Sequence, residues 1–136
     1  VVQGDDLVIR AFCGVGDLVP GSLSSIPEPS VAAEEISLDQ VDLVVTGEGR
    51  TDWQSCFGKV MQGVGMRAKA KGIPVLGLSG SLGKNAMDIC DCGISSLMTT
   101  VNAPMPLSKA LERAEELYYE GALRMFRFVK TRMEMR

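Results

Sequence analysis

The chain has 136 residues, a net charge of −3 and 46% hydrophobic against 23% charged residues, which suits one compact domain and excludes disorder as the default state. No apolar run approaches the ~18 residues of a membrane span, and no basic-then-apolar leader pattern opens the chain. There is no histidine, so acid–base work falls to carboxylates, Lys, Cys or Tyr, and imidazole-based catalysis is excluded for this chain.

The charge is unevenly placed. Residues 1–52 carry ten acids against Arg10 and Arg50, and residues 53–136 carry seven acids against twelve bases. The two halves are expected to pair in the fold, with the basic half free to favour an anionic ligand. The overall acidity argues against broad nucleic-acid binding. Cys13, Cys56, Cys90 and Cys92 form no C-x-x-C, so reduced thiols are expected and a zinc site is not. The start at Val1-Val2-Gln3 suggests a piece of something longer.

In chain order, residues 1–41 read as a lead-in segment and 42–136 as the principal α/β part. Leu7 to Phe12 fits a strand or a helix, residues 20–30 a Pro/Ser-rich loop, and 31–39 a short helix. Leu43-Val44-Val45 is a buried strand ending in Thr46-Gly47-Glu48-Gly49-Arg50. A helix is expected around 58–71, with Val60, Val64 and Ala68 on one face, Gly72 as its C-terminal cap and Pro74 just beyond. Ile73 to Ser79 is the next strand, residues 80–83 a turn, 84–91 a short helix stopped at Gly93, and Ile94 to Thr99 a third strand. From Leu107 to Val129 apolar residues recur at steps of three and four, predicting one long helix with Pro106 at its start. Its acids lie early and its bases late, complementing the helix dipole.

Alternating strands and helices predict a parallel three-layer α/β sheet of the Rossmann or flavodoxin-like class, with helices on both faces. Ligands bind such sheets at the carboxyl ends of the strands. That places Gly47 to Asp52, Gly80 to Gly83 and Thr99 to Asn102 on one edge.

Four glycine patterns fail as nucleotide motifs. Gly63-Val64-Gly65-Met66-Arg67-Ala68 lies inside a helix, and Asp52 occupies the third glycine position after Gly47 and Gly49. Gly58-Lys59 and Gly83-Lys84 lack the earlier glycine and the following Ser or Thr of a Walker loop. What remains is Thr46 to Gln54, which collects Glu48, Arg50, Asp52 and an amide behind a buried strand. Arg50 is suited to clamp a carboxylate or phosphate, and Glu48 or Asp52 to orient a hydroxyl or help hold magnesium. A salt-bridged surface turn is the alternative.

The run Asp42-Leu43-Val44-Val45-Thr46-Gly47-Glu48-Gly49-Arg50-Thr51-Asp52-Trp53-Gln54 resembles the D-L-V-[IV]-T-G-E-G-R-x-D-x-Q signature of bacterial glycerate kinases of the first type. Gly58-Lys59, Gly63-Val64, Ala68-Lys69, Gly72 to Val75 and Gly80-Ser81-Leu82 continue the likeness, as does the stretch from Leu107 to Lys130. Upstream, Leu7 to Gly21 resembles a family helix followed by L-x-P-G, residues 22–40 depart from the pattern, and Cys56 and Phe57 replace the expected Thr and Leu-like residue.

The resemblance implies a cytoplasmic, ATP-dependent phosphotransferase acting on D-glycerate, with Mg2+ arriving on the nucleotide. It implies Glu48, Arg50 and Asp52 as catalytic residues. Gly47, Gly49, Gln54 and Lys59 would contact substrate, Gly80 and Ser81 the cofactor, and no residue is assigned as a metal ligand. It also implies that the family's amino-terminal half of the cleft is missing, so the isolated chain is expected to be inactive without that half or a second chain. The alternative is a non-catalytic truncated α/β module that dimerises or binds a small phosphate-bearing ligand. Phe126 and Phe128, off the main apolar stripe, are expected to meet a partner domain or chain.

Overall fold

The structure, a computed structural model, describes residues 2–4, 7–13 and 38–135. Its centre is a five-stranded sheet in the order β1 (Val2–Gly4), β2 (Leu7–Cys13), β3 (Leu43–Thr51), β4 (Val75–Leu82) and β5 (Ser96–Thr99). β2 to β5 run parallel, and β1 pairs antiparallel with β2 at one edge. The α/β class expected from the alternation of elements is therefore present. Leu7 to Phe12, open between strand and helix in the sequence, lies in a strand. The loop expected at 20–30 and most of the helix expected at 31–39 lie outside the described residues.

Side chains alternate across β3 because successive strand residues point to opposite faces. Val44 packs with Met61, Val64, Ala68, Val75, Ile89 and Ile94 on one face. Leu43 and Val45 pack with Leu78 and Met125 on the other. The first face carries helix α1 (Val60–Ala70) and the 3-10 helix η2 (Ala86–Cys92). The second carries the long helix α3 (Ala114–Glu134). Leu97 and Met98 divide between these two clusters as the alternation predicts.

α1 matches its sequence pattern. Val64 and Ala68 are buried, Val60 packs at the margin, and Met61 joins them at 1% exposure. Gly72 ends the helix at φ 69°, a left-handed conformation that a side chain would strain. The Gly72 amide donates to Lys69 O and that of Ile73 to Ala68 O, satisfying carbonyls the helix leaves open.

One expectation and one alternative are corrected. Gly80 to Leu82 is not a turn beyond β4, and Gly47 to Arg50 does not form the alternative surface turn beyond β3. Both segments are strand, with Arg50 opposite Ser81 and Thr51 opposite Leu82. Glycine at 47 and 80 lets the two backbones close on each other. A Cβ on Gly47 would stand 2.1 Å from Leu78 O, and one on Gly80 2.5 Å from Gly49 O.

The final helix is also not continuous. It divides into α2 (Leu107–Glu112) and α3 at Arg113, which leaves helical geometry at φ −103°, ψ 17°. Leu107 and Leu111 are exposed, whereas Leu117 and Met125 of α3 are buried. The apolar repeat runs across both segments, so periodicity alone does not register the break. Only the α3 part of the stripe finds the sheet.

Charge pairing between the halves is visible in Lys71 with Asp39 at 2.7 Å and Lys59 with Glu48 at 3.9 Å. Among the described residues, no helix is long and apolar enough to cross a membrane.

Candidate functional site

The carboxyl ends of β3 and β4 carry a polar cluster in an otherwise apolar sheet. Glu48 is its centre. Thr51 Oγ1 donates to Glu48 Oε1 at 2.9 Å, and Ser55 Oγ donates to the same oxygen at 2.5 Å. Thr51 Oγ1 also lies 2.6 Å from Ser79 Oγ and 3.4 Å from Met61 Sδ. Thr51, Ser55 and Ser79 are all fully buried. Glu48 Oε2 faces the Lys59 ammonium at 3.9 Å, in front of α1. A carboxylate brought this far out of water needs such donors, and here they fix its orientation.

Ser55 belongs to the 3-10 helix η1 (Trp53–Cys56), which Asp52 starts. Asp52 Oδ1 accepts from the Gln54 amide at 2.9 Å, and the Asp52 amide donates to Ser55 Oγ at 3.2 Å. This reciprocal arrangement is a capping box. Asp52 Oδ2 lies 3.6 Å from Arg50 Nε. Both Asp52 oxygens are thus occupied by the chain's own groups.

Arg50 extends over Gly83. A Cβ at Gly83 would fall 2.8 Å from Arg50 Nε and 2.9 Å from a terminal guanidinium nitrogen, so the missing side chain makes room for the guanidinium. The Arg50 side chain remains 67% exposed, with donors available to an anion. Gly83 N donates to Thr51 O and Trp53 N to Lys84 O, holding the two post-strand loops together.

Beyond η1 lies a cleft of about 540 Å3, lined by Trp53, Phe57, Lys84, Asp88 and Asp91 among others. Trp53 and Phe57 meet edge to face at 5.9 Å and are both exposed. On the third strand of this edge, Thr100 N donates to Ser79 O. Arg124 of α3 reaches back to donate to Thr100 O at 3.0 Å.

The structure therefore brings Glu48, Arg50, Asp52, Gln54 and Lys59 to one sheet edge. Gly47, Gly49 and Gly80 stand in the strand pairing beneath them, with Ser81 directly opposite Arg50. Sequence reasoning missed Thr51, Ser55, Ser79 and Arg124. Two signals were present: the D-x-x-S spacing of Asp52 and Ser55, and a serine closing the apolar run of β4. Arg124 had none, because its role depends on where α3 lies. Thr46 Oγ1 is buried without a hydrogen-bond partner among the described residues.

Among the described residues, no group of three or more Cys, Asp or Glu side chains is arranged to hold a metal ion. Glu48 Oε1 is already committed to two hydroxyls. These residues do not by themselves fit a resident metal.

Comparison with known proteins supplies a family. The model of the glycerate kinase family matches residues 25–130. A glycerate kinase of Bacillus subtilis (strain 168) is 39% identical over 90 residues, covering 66% of this chain and 23% of that protein. A glycerate kinase of Haemophilus influenzae is 30% identical over 123 residues, covering 83% of this chain and 32% of that protein. A glycerate 2-kinase of Escherichia coli (strain K12) is 39% identical over 72 residues, covering 53% and 19%. Across these three the chain spans about a fifth to a third of the relatives' length.

Proposed function

Because the chain belongs to the glycerate kinase family, we propose that it forms the Glu48–Arg50 side of a cleft in which ATP phosphorylates D-glycerate. The observation that carries this reading is the pinned Glu48 carboxylate beside an exposed guanidinium at the carboxyl ends of parallel strands. Phosphoryl transfer depends on positioning and charge stabilisation more than on a special nucleophile, and an absent histidine is no obstacle.

In this reading Arg50 clamps an anion, the glycerate carboxylate or the phosphoryl group in transit. Glu48, held through Oε1, presents Oε2 toward the glycerate hydroxyl, and Lys59 balances its charge. Asp52 is a positioning residue: it caps η1 and steers Arg50. Gln54 and the backbone at Gly47 and Gly49 border the substrate, and Gly80 and Ser81 border the nucleotide side. ATP supplies the phosphoryl group, and Mg2+ enters on its phosphates.

The isolated chain is inactive in this reading. Arg50 is 67% and Phe57 72% exposed, so the site lacks the water-excluding cover that phosphoryl transfer needs. A coupled ADP-release assay with D-glycerate is expected to read no turnover from this chain; turnover overturns the inactivity. Replacing the matching 123-residue stretch of the Haemophilus influenzae relative with this chain's residues tests the function itself. The folded chimera is expected to release ADP, with a loss of 100-fold or more (about 2.7 kcal/mol) in kcat/KM on Arg50→Ala. A folded chimera without activity, or one indifferent to Arg50→Ala, overturns the reading.

A second reading, a non-catalytic module that pairs with another chain, is favoured by one observation. An apolar groove of about 410 Å3 runs between β5 and α3, lined by Leu97, Met98, Met125, Phe128 and Val129 among others. Phe128 is 70% exposed there. Sedimentation at rising concentration distinguishes a 14.6 kDa monomer from a self-associating module.

A further inference from the structure

Cys56 ends η1 and Cys92 ends η2. Both are free and half-buried, both line the cleft beyond Trp53, and both pack against the same core cluster. After burial, Cys92 is the largest influence on the Cys56 thiol, as expected of two side chains that adjoin in this cleft. Cys90, two residues before Cys92, lines a different depression with Lys69, Gly72 and Pro74.

We infer that Cys56 and Cys92 form a dithiol modification site, which a low-molecular-weight disulfide of the glutathione class converts into an intrachain bond joining η1 to η2. The exchange balances in two steps. A Cys92 thiolate attacks one sulfur of the small disulfide, forming a mixed disulfide and expelling one small thiolate. Cys56 sulfur then attacks Cys92 sulfur, closing the protein disulfide and expelling the second small thiolate. The two protein thiol protons pass to the two leaving thiolates. Two protein thiols are oxidised, and one small disulfide is reduced to two thiols.

The order of attack follows from the surroundings. Burial, the Cys92 partner and the carboxylates of Asp88 and Asp91 push the Cys56 thiol up to about 11, which makes it the weaker opening nucleophile at neutral pH. The product ties down η1, the helix whose Ser55 orients Glu48.

The test uses the full folded chain incubated with oxidised glutathione, alkylated and digested with trypsin without reduction. Cys56 falls in the peptide Thr51–Lys59, and Cys90 and Cys92 fall in Asn85–Lys109. The expected product is the two peptides linked, with fragmentation placing the bond at Cys92. The link persists in Cys90→Ser and disappears in Cys92→Ser. The wild-type fragmentation answers alone where a variant fails to fold. A dominant bond to Cys13 or Cys90, a Cys90–Cys92 bond, glutathione adducts that never resolve, or no reaction overturns the proposal.

Discussion

Ser55 donates its hydroxyl to Glu48 Oε1 at 2.5 Å, binding η1 back onto the strand that carries the family motif. Together with Cys56, which packs against the core, the bond keeps this short 3-10 helix seated. It also makes Glu48 a preorganised carboxylate, since its rotamer is set before any ligand arrives.

Removing that donor is expected to be costly. Ser55 is fully buried, and a hydrogen bond to a charged group contributes about 1.5–3 kcal/mol. Ser55→Ala is expected to lower unfolding free energy by about that amount in urea titration, and Ser55→Thr, which keeps the hydroxyl, by less. A Ser55→Ala chain as stable as the parent shows that Glu48 finds another donor.

Two alanine substitutions for glycine are expected to go in opposite directions. Gly47→Ala drives a Cβ to 2.1 Å from a neighbouring backbone oxygen, so the strands must part. The loss is about 1–3 kcal/mol or more. Gly63 sits in α1 with nothing within 4 Å of its would-be Cβ. Gly63→Ala is expected to stabilise by about 0.5–1 kcal/mol through helix propensity. Thermal melts of the pair check both signs.

Alkaline pH is expected to loosen the fold through Cys56. Its thiol rises from an ordinary 9.0 to about 11, through burial first and then Cys92, Asp88 and Asp91. The native state holds this proton when the unfolded chain has released it. Stability from this source is therefore full below about pH 9 and lost as pH rises toward 11. Chemical denaturation across that window is expected to show a falling stability that Cys56→Ser flattens.

Arg124 is expected to secure the end of β5. It donates to Thr100 O at 3.0 Å, joining α3 to the sheet edge. Arg124→Met keeps much of the apolar stem and removes the donor. A loss of about 1 kcal/mol and faster amide exchange at Thr100 are expected. Unchanged exchange rules out this role.

The sites that test the fold differ in how far they could be read beforehand. α1 was legible because Val60, Val64 and Ala68 fall on one face and Gly72-Ile73-Pro74 punctuates its end. β4 and β5 were legible from apolar runs bounded by Pro74, Gly93 and polar turns. The motif from Gly47 to Gln54 marked where polar side chains cluster, but its extended conformation was not legible, nor was that of Gly80 to Leu82, which reads as a turn. Glycine-rich sequence signals a turn when taken alone, whereas here glycine permits strands to approach, and only the pairing partner Leu78 reveals that need.

By itself, then, the amino-acid order determined the class of fold, the placement of α1, β3, β4 and β5 along the chain and the segment where polar side chains gather. Those depend on local periodicity, backbone restriction and motif spacing, all properties of neighbouring residues. The tertiary structure decided how differently the two carboxylates are held. Asp52 and Glu48 are alike in sequence, but Asp52 is consumed by capping η1 and steering Arg50, and Glu48 is pinned by Thr51 and Ser55 with one oxygen left facing Lys59. It also decided that Cys56 and Cys92 line one cleft while Cys90 lines another depression. Such pairings arise where separate elements converge in space, and hydrogen-bond geometry at that point selects among residues that composition treats as equal.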